Sequence, residues 1–220
     1  MEAIAHIQSP FGGKFGVPRQ SGLAPLSVAR IIFEPRYRNP EALRGLEGFD
    51  YIWLIWEFRS PSAEQWSPTV RPPRLGGNRR MGVFATRSTF RPNPIGLSSV
   101  RLLRVLTDTP DGPLLEVSGA DLMDGTAVFD IKPYLRYCDS HPDAACGWVD
   151  GLEDHRLEVK WACEVPPGFK EEIEQILALD PRPSYIDDES RCYGFLYRDM
   201  DIRFQVTGGI LTILSTEKQK

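Results

Sequence analysis

Phe49-Asp50-Tyr51-Ile52-Trp53-Leu54-Ile55-Trp56-Glu57-Phe58 sets large apolar or aromatic groups on both alternating faces of an extended segment. A strand with one wet face would alternate apolar and polar residues, so this pattern points to a central strand covered on each side. Working outward, Met81 to Thr86, Ser98 to Leu106, Leu114 to Gly119 and Thr126 to Tyr134 read as further short strands. Gly, Pro, Asp and Asn clusters separate them at the intervals expected of a barrel or a sandwich. One short helix is expected among them, because Asn39 can cap, Pro40 fits the first helical position and Glu41 suits the positive helix end. Gly12-Gly13-Lys14-Phe15-Gly16 reads as a mobile loop whose lysine is a weak phosphate contact. The texture changes between Asp150 and Val165. Beyond that point Phe169, Ile173, Ile176 and Leu177 make one helical stripe, ended by Asp180-Pro181. Cys192 to Tyr197, Asp201 to Val206 and Ile210 to Leu214 then read as strands of a small αβ appendage.

A chain of 220 residues with 41% apolar and 25% charged residues has the makings of one or two ordinary globular domains. Its first ten residues show neither a basic nor an apolar signal region, and the apolar run Tyr51 to Trp56 is far too short to span a bilayer. Cys138, Cys146, Cys163 and Cys192 form no CxxC pair and are expected to be reduced thiols, which makes the cytoplasm the expected location. His6, His141 and His155 are scattered, so no metal centre is expected.

Charge is segregated. Between Arg71 and Arg104 lie eight arginines (Arg71, Arg74, Arg79, Arg80, Arg87, Arg91, Arg101 and Arg104) and no Asp or Glu, although the whole chain is net -4. Local patches, not net charge, set the field a ligand meets. Inside the stretch, Pro92 and Pro94 stiffen the loop from Arg87 to Gly96, so its guanidinium and hydroxyl donors are ordered before any ligand arrives. The planar guanidinium fork suits phosphate or carboxylate and also stacks on bases.

Asp121-Leu122-Met123-Asp124-Gly125 is by itself an ordinary turn. The strand after it adds interest, because on an extended chain Asp130, Lys132 and Tyr134 share a face while Phe129, Ile131 and Pro133 share the other. An acid, a base and a phenol projecting together fit a catalytic face or a solvent face with an internal ion pair. Val17-Pro18-Arg19-Gln20-Ser21-Gly22-Leu23 is another proline-stiffened loop with a guanidinium and an amide. No GxGxxG after a strand, no GxxxxGK[ST] and no GxSxG occurs, so Rossmann, P-loop and hydrolase-elbow devices have no support.

Phe15 to Leu23, Leu46 to Leu54, Val70 to Asn78, Gly82 to Leu97, Asp121 to Thr126 and Asp130 to Leu135 together resemble the TsaA-like domain of the TrmO tRNA methyltransferases. Asp180 to Tyr185 and Tyr193-Gly194 resemble the family's small C-terminal domain. The resemblance implies a mainly β fold, with a compact TsaA-like β-barrel over residues 1–150 and a small α+β domain over residues 151–220 that could contact tRNA. It further implies a homodimer that binds S-adenosylmethionine and methylates N6 of N6-threonylcarbamoyladenosine, next to the anticodon of threonine tRNA. Carried over by motif, the cofactor would touch Pro18, Arg19, Gln20, Arg59, Ser60, Arg87, Leu97, Asp121, Leu122, Met123 and Asp124. Many members carry His where this chain has Arg59, so an imidazole role does not transfer. Asp130, Lys132 and Tyr134 are the expected catalytic groups, and Arg71, Arg74, Arg79, Arg80 and Arg91 the expected RNA contacts. A non-catalytic RNA- or nucleotide-binding barrel, or a cofactor sensor, would use the same arginines without transfer.

Overall fold

The computed structural model describes residues 1–58, 66–152, 154–165, 167–182 and 188–219. The chain opens with β1 (Ala5–Gln8), β2 (Val28–Phe33) and β3 (Tyr51–Glu57), then passes through a two-stranded flap, β4 (Thr69–Val70) and β5 (Met81–Gly82). It returns as β6 (Ile95–Leu106), β7 (Leu114–Ser118) and β8 (Ala127–Pro133). Six strands close an antiparallel barrel in the order β1-β2-β7-β6-β3-β8, which leaves no open edge.

The barrel interior is filled by Ile7, Ile31, Ile52, Leu54, Val100, Leu115, Val117, Leu122 and Val128, all buried. β3 departs from the expected double cover. Ile52, Leu54 and Trp56 face the core, while Tyr51 is exposed and Trp53 and Ile55 are half-buried on the outer wall. A closed barrel of this size has only one interior, so the second aromatic row must find polar anchors outside. Trp53 does so by donating its indole N–H to Asp139 at 2.9 Å, from the short helix α1 (Arg136–Asp139).

Other local expectations shift for identifiable reasons. Met81 to Thr86 is strand for only two residues, because Val83–Ala85 turns as a 3-10 helix with Thr86 N–H bonded to the Val83 carbonyl. The expected helix after Asn39 is one 3-10 turn, Pro40–Leu43, with the Asn39 side chain accepting from Glu41 N–H. Glu116 is 4% exposed on β7 and is held between Arg30 and Arg104, so Arg104 serves the wall of the barrel. Each of these arginines leaves its charged head partly in water while covering the acid.

The second sheet, order β10-β11-β12-β9, comprises β9 (Glu158–Trp161), β10 (Tyr193–Tyr197), β11 (Met200–Thr207) and β12 (Ile210–Lys218). Helix α2 (Lys170–Leu177) lays Ile173, Ile176 and Leu177 on this sheet, as the stripe predicts. The β1–β2 loop belongs to this second core. Phe11 and Ala24 are buried in it, Phe11 bridges to Tyr197, and Arg198 N–H bonds the Pro10 carbonyl at 2.7 Å. The expected mobile glycine loop is packed, since Phe15 stacks against both Tyr193 and Phe204, which also stack on each other. Gly16 sits at φ 90°, and a β-carbon there would lie 2.5 Å from the Phe195 ring, so only glycine fits.

Gly96 is the tightest approach in the barrel. A β-carbon on it would stand 2.2 Å from Cε2 of Trp56. Gly96→Ala therefore must displace the indole and is expected to lower stability by about 1–3 kcal/mol or more, read as a lower urea midpoint. An unchanged midpoint would show that the ring moves freely.

Candidate active site

One rim of the barrel gathers the end of β3, the start of β6, the turn after β7 and the β1–β2 loop. Trp56 Nε1 donates to Ser98 Oγ at 2.9 Å, and Ser98 Oγ donates to Asp121 Oδ1 at 2.5 Å. Trp56 and Ser98 are both buried. Burial pushes the Asp121 carboxyl above the usual carboxylate range, against the opposing pull of the Ser98 bond, backbone N–H groups and the nearby Arg87 charge. Arg87 donates to Gln20 Oε1, and the Gln20 amide donates to the Arg19 carbonyl. Gln20, Arg87 and Asp121 thus share one patch, with an acid able to take an ammonium or hydroxyl donor and a guanidinium able to take an anion.

The other expected cofactor residues divide. Pro18 is buried. The Arg19 guanidinium turns toward the end of α2 and donates to the Leu179 carbonyl, and burial together with the Arg74 charge lowers its pKa. Leu97 is 57% exposed on the outer wall, one residue from Ser98. Within the turn after β7 the Asp121 side chain reaches the rim through Ser98. Leu122 is fully buried and its carbonyl accepts from Ser9 Oγ at 2.8 Å, while Met123 gives its carbonyl to Thr126 Oγ1. Asp124 accepts from Ser9 N–H at 2.9 Å, which closes the turn against the exit of β1. Arg59 and Ser60 lie outside the described residues.

Asp130, Lys132 and Tyr134 do share the outer face, but not one cluster. Lys132 Nζ lies 2.7 Å from Asp130 Oδ2, and Asp130 pairs with Ile55, whose other neighbour is Leu97. Tyr134 sits at the far end of β3, with its ring 5.7 Å from Trp53 and 6.2 Å from Tyr51. The pleat places i, i+2 and i+4 on one side yet spreads them along the strand.

The arginines divide as well. Arg91 donates to the carbonyls of Val83 and Thr86 at 3.1 and 2.8 Å, so it shapes the loop it sits on. Arg71, Arg74, Arg79 and Arg80 are exposed on the flap, Arg80 also donating to Thr69 Oγ1. Sequence reading missed Ser98 and Trp56 as members of the rim. The signal was present in Ser98, a hydroxyl at an inward position between Gly96 and Val100. Among the described residues no group of three His, Cys, Asp or Glu side chains could hold a metal ion, and no helix is long and apolar enough to cross a membrane.

A small closed barrel with an acid–guanidinium rim, joined to a compact second sheet, defines the class to which similarity to known proteins also leads. The tRNA-methyltransferase O N-terminal domain model matches residues 6–140 and the TrmO C-terminal domain model matches residues 154–219. This chain belongs to the TrmO family. It is 40% identical over 228 residues to the tRNA (adenine(37)-N6)-methyltransferase of Escherichia coli strain K12, covering 98% of this chain and 97% of that relative. A Pseudomonas aeruginosa relative, provisionally named an S-adenosylmethionine-dependent methyltransferase, is 41% identical over 213 residues, covering 91% of this chain and 90% of the relative. The crystal structure of TrmO from Pseudomonas aeruginosa superposes with a TM-score of 0.76 at 34% identity, covering 98% of this chain and 97% of that one.

The raised Asp121 value has a consequence for stability. The folded state holds this proton more tightly than the unfolded chain, a contribution complete below about pH 3.9 and lost as pH rises through the higher folded value. Asp121→Asn removes that loss while keeping an acceptor for Ser98. Relative to the unsubstituted protein, the variant should gain stability between pH 4 and neutrality, as measured by urea unfolding at several pH values. A pH-independent difference would contradict the burial of a titrating acid.

Proposed function

We propose that this chain transfers the methyl group of S-adenosylmethionine to N6 of adenine 37 in tRNA, and that this adenine already bears the N6-threonylcarbamoyl group, in threonine tRNA. The observation that carries the reading is the Asp121–Arg87 rim in a chain that aligns over 98% of its length with a tRNA (adenine(37)-N6)-methyltransferase.

The rim suits the cofactor's chemistry. Asp121 takes its ammonium or ribose hydroxyls, Arg87 and Gln20 take its carboxylate, and backbone groups of Pro18, Arg19 and the Asp121 to Asp124 turn read its base. Leu97 supplies an apolar side, and Arg59 and Ser60 complete the set by family resemblance. When bound, S-adenosylmethionine supplies a methyl group already activated by its sulfonium. The protein's larger task is then alignment, worth more than any single proton transfer.

A threonylcarbamoylated N6 is amide-like, a poor nucleophile while its proton stays on but more acidic than the amine of adenosine. Asp130 is the acceptor best placed to take that proton, because it lies across β3 from Leu97 and its carboxylate is anchored by Lys132. Lys132 is also available to the threonyl carboxylate. Tyr134 stands with Trp53 and Tyr51 at the other end of the face and frames the substrate rather than moving its proton. The exposed apolar side chains Ile95 and Leu103 on β6 support association of two copies. Residues 1–150 work as the catalytic barrel and 151–220 as a unit that contacts tRNA, in the cytoplasm where tRNA is found.

Labelled-methyl transfer to tRNA with and without threonylcarbamoyl tests the reading directly, with product expected only on the modified RNA. No transfer to either RNA would sink it. Asp130→Asn should lower kcat by at least roughly tenfold with cofactor affinity intact; an unchanged kcat removes Asp130 as the base. Joint replacement of Arg71, Arg79 and Arg80 by Ala should make the salt dependence of tRNA binding shallower by about 2 in log–log slope and leave cofactor affinity alone. If both affinities fall together, these arginines belong to the cofactor site.

A further inference from the structure

Phe84 stands at the centre of the 3-10 turn Val83–Ala85 with 73% of its surface exposed. Its neighbour Val83 is buried, so the turn drives one apolar residue inward and displays the next. The display is rigid. Arg91 bonds the carbonyls of Val83 and Thr86, Thr86 Oγ1 bonds the Val83 carbonyl at 2.8 Å, and Trp148 Nε1 bonds the Ala85 carbonyl at 2.8 Å. The Arg91 guanidinium carbon also lies 5.5 Å from the centre of the Phe84 ring. An aromatic ring backed by a guanidinium, with the rest of its surface in solvent, has the makings of a stacking surface for a nucleobase.

The surroundings select the partner. Residues 71 to 104 contain no acid, and the exposed arginines of the flap give this face a positive field that favours a polyanion over an apolar protein surface. Trp66 and Phe90 are exposed on the same flap, with Ser67 N–H bonded to the Phe90 carbonyl. Arg87, three residues on, already belongs to the cofactor rim. Three residues span at most about 11 Å, so a base on Phe84 would leave an adjoining nucleotide within reach of that rim.

We propose that Phe84, backed by Arg91, is a stacking platform for an unpaired base of the RNA substrate next to the one that is methylated. The proposal rests on the reading of the chain as a tRNA methyltransferase. Reading bases by stacking needs no hydrogen bond from the ring and tolerates several bases, which suits a loop nucleotide that must be held without being chemically changed.

The test compares the unsubstituted protein with Phe84→Ala and Phe84→Trp, using an anticodon stem-loop RNA for affinity, calorimetry for S-adenosylmethionine and sedimentation for oligomeric state. Phe84→Ala should weaken RNA binding about tenfold or more, Phe84→Trp should hold it within about threefold, and cofactor affinity should stay level. In stem-loops with single abasic nucleotides flanking position 37, one position should erase the difference between the unsubstituted protein and Phe84→Ala. Equal RNA affinity in Phe84→Ala, an equal loss in Phe84→Trp, or a loss that survives every abasic position overturns the platform. A change in sedimentation with RNA affinity unchanged also overturns it, and gives Phe84 to a contact between copies. If the unsubstituted protein transfers no methyl group to tRNA, the functional reading fails; if it does and Phe84→Ala keeps the same KM for tRNA, only the platform falls.

Discussion

The Trp56 indole lies where it does because Gly96, directly opposite on β6, has no side chain. Much of the rim follows from that one allowance. The indole fills the end of the barrel, its N–H reaches Ser98, and the Ser98 hydroxyl is thereby turned toward Asp121. Each of these side-chain groups has a partner, so an otherwise apolar interior encloses a short polar path without an unsatisfied group along it. The path ends at a carboxyl whose charged form burial disfavours, so a cationic or hydroxyl-bearing ligand that pairs with the carboxylate offsets part of that cost. The same glycine sits in the proline-stiffened segment that leads from Arg87 into β6, so barrel closure and rim chemistry share one stretch of chain.

A second constraint acts from the other side. The β1–β2 loop carries Gln20 to the rim, yet its hydrophobic residues Phe11, Phe15, Val17 and Ala24 pack with the second sheet. Leu26 N–H reaches Gln175 on α2, and Arg19 reaches the Leu179 carbonyl beyond it. The loop is thus held at both flanks by a core it does not belong to in sequence. Ordering a loop in advance spares a ligand the entropy of ordering it on arrival, and here the second sheet does that ordering for the barrel.

Most strands were legible in the sequence because alternation and turn residues mark them locally: β6, β7, β8 and the stripe of α2 fall where Ser98, Leu114, Thr126 and Ile173 predict. What was not legible depended on contacts distant in sequence. Nothing near Trp53 says that its face of β3 would be the outside of a closed barrel, since closure is a property of six strands together. Nothing near Gly12 to Gly16 says that Phe15 would be gripped by Tyr193 and Phe204. For the same reason nothing near Asp121 to Asp124 says that Ser9, more than a hundred residues earlier, would take the Asp124 carboxylate for its backbone N–H while Asp121 accepts from Ser98. Period and spacing show which side chains share a face; partners far along the chain decide which of them remain free for a ligand.

The arginine-rich stretch shows how one composition serves separate tasks. Arg104 covers a buried glutamate, Arg91 locks a turn, and Arg87 links the flap to Gln20 at the rim. Arg71, Arg79 and Arg80 are exposed on the flap, where screening makes each a weak but additive attractor for a polyanion. Such contacts give affinity without choosing a base. Choice has to come from groups held rigidly by the fold, and the stretch supplies the rigidity itself: Pro92 and Pro94 fix the backbone on one side of Arg91, and the 3-10 turn it bonds fixes the other. The absence of acids in the stretch suits both tasks, since a carboxylate there would weaken the field outside and compete inside for the guanidinium groups that hold the loop.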